Sequence, residues 1–342
     1  MTDHIAIPRR LVAAAALATA LMGAQAEAAE PIIFGTDWKA QAEHGGFYQA
    51  AADGTYARYG LDVSIRPGGP QVNHSQLLAA GKVDFNIGGG NFIQLNFTQA
   101  QIPVVTVAAI FQKSPIVLMA HPGQGVATPA DLRGRTLIVS NEGRLTYWRW
   151  LVANFGLEEK QLKPYTFNPA PFLADPSAVQ QGFVTSEPWA IRSRGGFEPV
   201  VLLLADHGYD PYSTIIQTTS KLVEERPETV QRFINATIEG WYNYLYGDNA
   251  AANRLIRSDN PEMTDDQLAY SLDAMKRYGI VDSGDSLRSG IGAMSKDRWD
   301  TFLAKAVSWG LYPAELPVDR AYTTRFVNQG HGLELRKQLG AP

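Results

Sequence analysis

The chain repeats one rhythm: a short apolar run, a loop rich in Gly, Asn or Pro, then a stretch of helical periodicity. Ile32-Ile33-Phe34, residues 61–65 and residues 83–87 read as strands. Each closes on a loop of turn-forming residues. Helical patterns fall between them, over 46–59 and 75–80. The rhythm starts again further on. Residues 135–140 read as a strand, 144–155 as a helix and Tyr165-Thr166-Phe167 as a strand. A short helix over 175–181 and strands at 183–185 and 200–204 follow. Thr128 caps a small turn that opens this block, with Pro129 at its first helical position. Strands alternating with helices imply an α/β chain with parallel or mixed sheets covered by helices on both faces.

The last third is helical. Pro227 starts a long helix through Tyr244 whose Phe233, Ile234, Ile238, Trp241 and Tyr242 share a face. Three more helical patterns follow, over 251–258, 264–278 and 295–308. Two α/β blocks joined by extended segments, near 104–119 and 212–219, predict a hinged pair of lobes. The expected division is 30–115 plus 215–342 for the first lobe, with the C-terminal helices, and 116–214 for the second.

The N-terminus carries an export pattern. Arg9 and Arg10 precede an apolar run, and Ala24-Gln25-Ala26 and Ala28 offer small-residue cleavage positions. That run is about a dozen residues, short of the roughly 20 that a membrane-spanning helix needs. Residues 1–28 are therefore expected to be a signal peptide, cleaved after Ala26 or Ala28, and not a stable membrane insertion. The sequence has no cysteine, which removes disulfides, thiolate metal sites and a lipid-modified anchor. A formal charge of −4 argues against nucleic acid, whose partners carry basic patches.

Ligands of open α/β sheets sit beyond the carboxyl ends of the strands, so the residues there are the candidates. Asp37, Trp38 and His44 follow the first strand, and Asn73 and His74 the second. Asn91 and Phe92 follow the third, and Asn141 and Arg144 a fourth. Asn168 follows a fifth, and Glu187 and Trp189 a sixth. Trp38 offers a flat face for a planar heterocycle or a cap for a lobe core, and Asp37 can accept from ligand N–H groups. The convergence of polar and aromatic residues at six strand ends favours a binding cleft. No G-x-S-x-G, H-E-x-x-H or G-x-G-x-x-G motif is present, and no histidine pair has metal-ligand spacing. No cofactor and no metal is called for.

At these residues the chain resembles the NMT1/THI5-like (SsuA/THI5-like) family of periplasmic substrate-binding proteins. The resemblance rests on Asp37-Trp38 with His44 and Gly46-Phe47-Tyr48, on Tyr59-Gly60-Leu61-Asp62-Val63, on residues 77–85 and on Asp131-Leu132-Arg133-Gly134-Arg135. Residues 182–188, with Glu187-Pro188, and the helix from Pro227 complete it. It implies a type II periplasmic-binding-protein fold, two hinge-connected lobes around a ligand cleft. It also implies a monomer that delivers a small molecule to an ABC permease and ATPase complex. The Asp-Trp and His block looks most like the branch that binds pyrimidine precursors of thiamine. By that resemblance Trp38 stacks on the ring while Asp37 and Glu187 meet its N–H groups. His44 matches the histidine of fungal pyrimidine synthases of the same fold, but their cysteine-rich iron motif is missing here. Two alternatives remain: a binder of a sulfonate, aromatic carboxylate or flavin-like solute, the anions held by the helix N-termini at Asn73-His74 and Asn141-Glu142 with Arg144, and a synthase-like enzyme.

Overall fold

A computed structural model describes residues 28–69 and 72–342. Residues 1–27 of the expected export leader lie outside the described residues. Among the described residues ten strands form two five-stranded sheets. The first contains β1 (Glu30–Gly35), β2 (Leu61–Arg66), β3 (Phe85–Gly90), β4 (Val104–Phe111) and β10 (Ser213–Thr219), in the order β2-β1-β3-β10-β4. The second contains β5 (Ile116–Ala120), β6 (Leu137–Val139), β7 (Leu162–Pro164), β8 (Val179–Phe183) and β9 (Val200–Leu203), in the order β7-β6-β8-β5-β9.

Both sheets are mixed. β1 runs parallel to β2 and β3, and β6 parallel to β7 and β8. The exceptions are the strands that follow each passage between the sheets. β5 is antiparallel to β8 and β9, and β10 to β3 and β4. The passages are 112–115, narrower than the extended segment expected because 104–111 and 116–119 are themselves strand, and 204–212, which precedes the segment expected because 213–219 is strand. Arg298 fastens the two passages together. Its guanidinium lies 4.0 Å from the centre of the Tyr212 ring and donates to Gln112 O at 2.6 Å and Asp210 Oδ1 at 2.8 Å.

Two local expectations are corrected. Residues 175–181 do not form a helix. Asp175 Oδ1 accepts from Ser177 N and Oγ in a side-chain-closed turn, and Val179–Phe183 then enters the sheet as β8. Tyr165-Thr166-Phe167 is not strand either, since β7 ends at Pro164 and Phe167 adopts φ 62°.

The long helix Pro227–Tyr246 carries the core of the first lobe. Its Val230, Phe233, Ile234, Trp241 and Leu245 are buried, each side chain contributing about 1.5–3 kcal/mol. The Phe233 ring stacks on Phe85 of β3 with centroids 4.1 Å apart. The helix Gly45–Ala52 approaches this helix closely at Gly46 and Gly240. A methyl group at Gly240 would stand 2.3 Å from Gly46 O, so only glycine fits there. That contact sets where the residues just before Gly45, including Glu43 and His44, are placed.

Candidate ligand-binding cleft

The strand ends of both sheets face one cleft of about 490 Å³. On the first-lobe side, the chain turns sharply after β1. Thr36 Oγ1 donates to Trp38 O at 2.7 Å, and Gly68 N donates to the same oxygen at 2.9 Å. This fixes the backbone of Trp38 and projects Asp37 and Trp38 into the gap. His44 is buried, and its Nε2 hydrogen-bonds Asp37 Oδ1 at 2.9 Å. The neighbouring Glu43 is also buried and accepts a hydrogen bond from the Thr185 hydroxyl of the opposite lobe. Burial raises the Glu43 carboxyl pKa, opposed by the Thr185 bond.

After β2, Asn73 Oδ1 accepts from Gln76 N at 3.0 Å and caps the helix His74–Ala79. The His74 imidazole packs over Gly35, where a methyl group would come within 2.5 Å of it. Glycine at the end of β1 thus lets His74 reach the cleft.

On the second-lobe side, Ser140 Oγ accepts from Gly143 N at 3.1 Å and caps the helix Asn141–Leu145. This cap aims Glu142 across the gap, so that its Oε1 would lie 2.7 Å from a methyl group placed on Gly89 of the first lobe. Glu142 is open to cleft water but walled by protein. Those walls, and then the Asp37 charge, raise its pKa. After β8, Phe183 N donates to Glu187 Oε2 at 2.8 Å, and Tyr165 OH donates to Glu187 Oε1 at 3.5 Å. Burial pushes the Glu187 carboxyl up to about 7 against the pull of the Phe183 N–H, with Glu43 adding to the rise. At neutral pH it can therefore donate as well as accept a hydrogen bond. Phe167 meets Trp38 across the gap, with ring centroids 4.5 Å apart and planes 41° apart.

Six of the twelve residues singled out in the sequence line this cleft: Asp37, Trp38, His44, Asn73, His74 and Glu187. The other six are not in its lining. Asn91 is fully buried at the start of the helix Asn91–Gln99, and Phe92 packs edge-on against Phe302 in the core at 4.9 Å. Asn141 is exposed, and Arg144 is paired at the surface with Glu159 at 2.8 Å. Asn168 Oδ1 accepts from Ala170 N at 3.0 Å and shapes a turn. Trp189 lies half-buried on the helix Glu187–Gly195. Gln41, Glu43, Glu142, Phe167 and Gln181 line the cleft without having been anticipated. Glu43 and Glu142 each sit beside a residue that was.

Four carboxyl groups thus face the cleft, and its described lining contains no Lys or Arg. The lining can accept hydrogen bonds from N–H groups and offers aromatic faces, but has no fixed cation for an anion. Among the described residues no cluster of His, Asp and Glu could hold a metal ion, and no helix is long and apolar enough to cross a membrane.

Comparison with known proteins adds the following. The model of the family described as NMT1/THI5 like matches residues 41–251, more than half of the chain. Riboflavin-binding protein RibY of Chloroflexus aurantiacus is 24% identical over 294 residues, 83% of this chain and 82% of that protein. The periplasmic aliphatic sulphonate binding protein SsuA from Escherichia coli superposes with a TM-score of 0.63 at 15% identity, over 85% of this chain and 91% of its own. The desulfurization enzyme DSZB shares the fold with a TM-score of 0.57 at 15% identity, over 90% of this chain and 99% of its own. The fold is therefore that of periplasmic binding proteins, and at least one enzyme uses it as well.

Proposed function

This chain belongs to the NMT1/THI5-like family, and we propose that within it the protein is a solute-binding component of an ABC importer. Its ligand is a planar heterocycle that carries an amino group beside a ring nitrogen, and the aminopyrimidine precursor of thiamine fits best. The carrying observation is the lining: Asp37, Glu43, Glu142 and Glu187 with no described cation, beside the Trp38–Phe167 pair that spans the gap. A 4-aminopyrimidine presents an acceptor ring nitrogen next to a donor amino group. A carboxyl with its proton near neutral pH, as Glu187 has, meets both at once, donating to the nitrogen and accepting from the amine.

A flavin presents mostly carbonyl acceptors at its polar edge, which these carboxylates do not complement. A sulfonate seated among these four carboxyls would meet like charge, and Arg144 is held at the surface by Glu159. Export supports the same role: the basic start, apolar run and Ala-x-Ala of the first 28 residues suit delivery to the periplasm. The lobes, residues 30–115 with 215–342 and residues 116–214, close on the ligand about the two passages.

The test is calorimetry on refolded, ligand-free protein against 4-amino-5-hydroxymethyl-2-methylpyrimidine, riboflavin and an alkanesulfonate, with product analysis of each mixture. The expected result is one pyrimidine bound per chain, unchanged chemically. Trp38→Ala should weaken it by roughly 1–3 kcal/mol, the worth of one aromatic stacking face. Preferential binding of the sulfonate, or conversion of the pyrimidine, defeats the proposal.

A further inference from the structure

A second chamber of about 630 Å³ adjoins the first and lies between the same two lobes. Trp38, Gln41, Phe167, Ser186 and Glu187 line both chambers, so the Trp38–Phe167 pair and the Glu187 carboxyl form the wall between them. The two differ in charge. The first has four carboxyls and no described cation, whereas the second has Lys39 and Arg194 beside Glu262 and the shared Glu187. Lys39 is bonded to Glu262 at 2.9 Å, and the nearby Arg192 pairs with Glu198 at 3.4 Å. Arg194 has no ion pair among the described residues, although it faces a cavity.

The helix Glu187–Gly195 relates the two chambers geometrically. Glu187, Ala190, Ile191 and Arg194 all line the second chamber. Their spacing places them on one helix face, with about 10 Å along the axis from Glu187 to Arg194. Burial and then Glu187 push the Tyr165 phenol up, while the Arg194 charge pulls it back. The guanidinium is thus within electrostatic reach of the wall that Glu187 and Phe167 form. Phe167, the second-lobe half of that wall, is half exposed and holds φ 62°, a conformation that phenylalanine seldom adopts.

We infer that the ligand is more than a ring: it carries a flexible arm ending in an anion, a phosphomonoester or a carboxylate. The arm passes the Trp38–Phe167 pair into the second chamber and meets Arg194. This rests on the reading of the first chamber as the seat of an amino-bearing ring. The arm's anion takes the guanidinium as a charge-assisted partner, while the ring's donors take the carboxyls. Placed the other way round, the anion would face four carboxyls and the ring would leave them unmatched.

The experiment compares three probes by calorimetry: the aminopyrimidine alcohol, its phosphate ester and its succinate half-ester. Each is titrated into the wild type, Arg194→Ala and Arg194→Lys. The quantity read is the affinity of each ester relative to the alcohol within one protein. At least one ester should bind roughly three- to tenfold more tightly than the alcohol in the wild type, as a partly exposed charge-assisted contact allows. That gain should vanish in Arg194→Ala and survive in part in Arg194→Lys. Which ester gains tells phosphate from carboxylate. If the alcohol binds but neither ester gains, or a gain persists in Arg194→Ala, the arm and its subsite are refuted while the ring reading stands. If no probe binds, the ring reading itself fails and takes this inference with it.

Discussion

Replacing Glu187 by glutamine isolates one proton and makes its effect on folding measurable. In the folded protein burial lifts this carboxyl from 4.5 to about 7. The folded chain therefore keeps a proton that the unfolded chain has already released between those two values. Stability must fall as pH rises through that window, because the charged form is favoured only in the unfolded state. A displacement of this size corresponds to about 3 kcal/mol, none of it lost below pH 4.5 and nearly all of it lost by pH 8. The Glu187→Gln side chain cannot ionise, and its amide oxygen can still accept from Phe183 N, which Glu187 Oε2 meets at 2.8 Å. The loop after β8 should keep its shape. The Glu43 carboxyl is also raised by burial, but it is present in both proteins and largely cancels in the comparison. Urea unfolding at pH 4, 5.5, 7 and 8 should show Glu187→Gln gaining on the wild type by about 3 kcal/mol across the range. Parallel stability curves from pH 4 to pH 8 would refute the claim that Glu187 is held in a partly buried, proton-retaining site.

Arg144→Ala should leave pyrimidine affinity within about twofold and cost at most about 1 kcal/mol of stability, because it breaks only an exposed pair. An alkanesulfonate that binds the wild type and is lost in Arg144→Ala would contradict the acidic reading of the cleft. Gly240→Ala places a methyl group 2.3 Å from Gly46 O, a backbone atom that no rotamer can move aside. It should destabilise the protein by about 1–3 kcal/mol or more, seen as a lower melting temperature. An unchanged melting curve would show that the two helices do not need their close approach.

How far the molecule could be read in advance depends on what kind of information each feature requires. The long helix from Pro227 was legible because five large apolar residues recur on one face. The strand ends were legible because glycine, asparagine and proline mark where an apolar run stops. β8 was not. Its Gln180 and Gln181 interrupt the apolar pattern, yet Gln180 is fully buried in the middle of the second sheet. At the cleft the limit was angular. Successive residues of a helix point about 100° apart, so knowing that a strand ends at Val139 does not say which following side chain turns inward. Asn141 was singled out, but Glu142 faces the gap. Asn91 and Phe92 follow β3 in the same way and are both packed inside the first lobe. Phe167 was hidden for another reason, since a left-handed phenylalanine leaves no mark in composition or periodicity.

The charge of the cleft was the least legible feature and is the most informative. A formal net charge of −4 is spread over the whole chain, so it gives no hint that Asp37, Glu43, Glu142 and Glu187 converge. They come from two lobes and are brought together only when both sheets turn their strand ends to one gap. Such a cluster opposes folding, because burial raises the pKa values of Glu43, Glu142 and Glu187, the Asp37 charge adds to the rise at Glu43 and Glu142, and Glu43 adds to it at Glu187. Glu43 and Glu187 show the outcome: both pKa values are raised, and the hydrogen bonds from Thr185 and Phe183 offset that only in part. A guest bearing N–H donors relieves this frustration, since it supplies the positive ends that the protein withholds. An anion in the same place would deepen it. On the proposed reading, selectivity lies in the repulsion among the cleft's own acids as much as in any single contact.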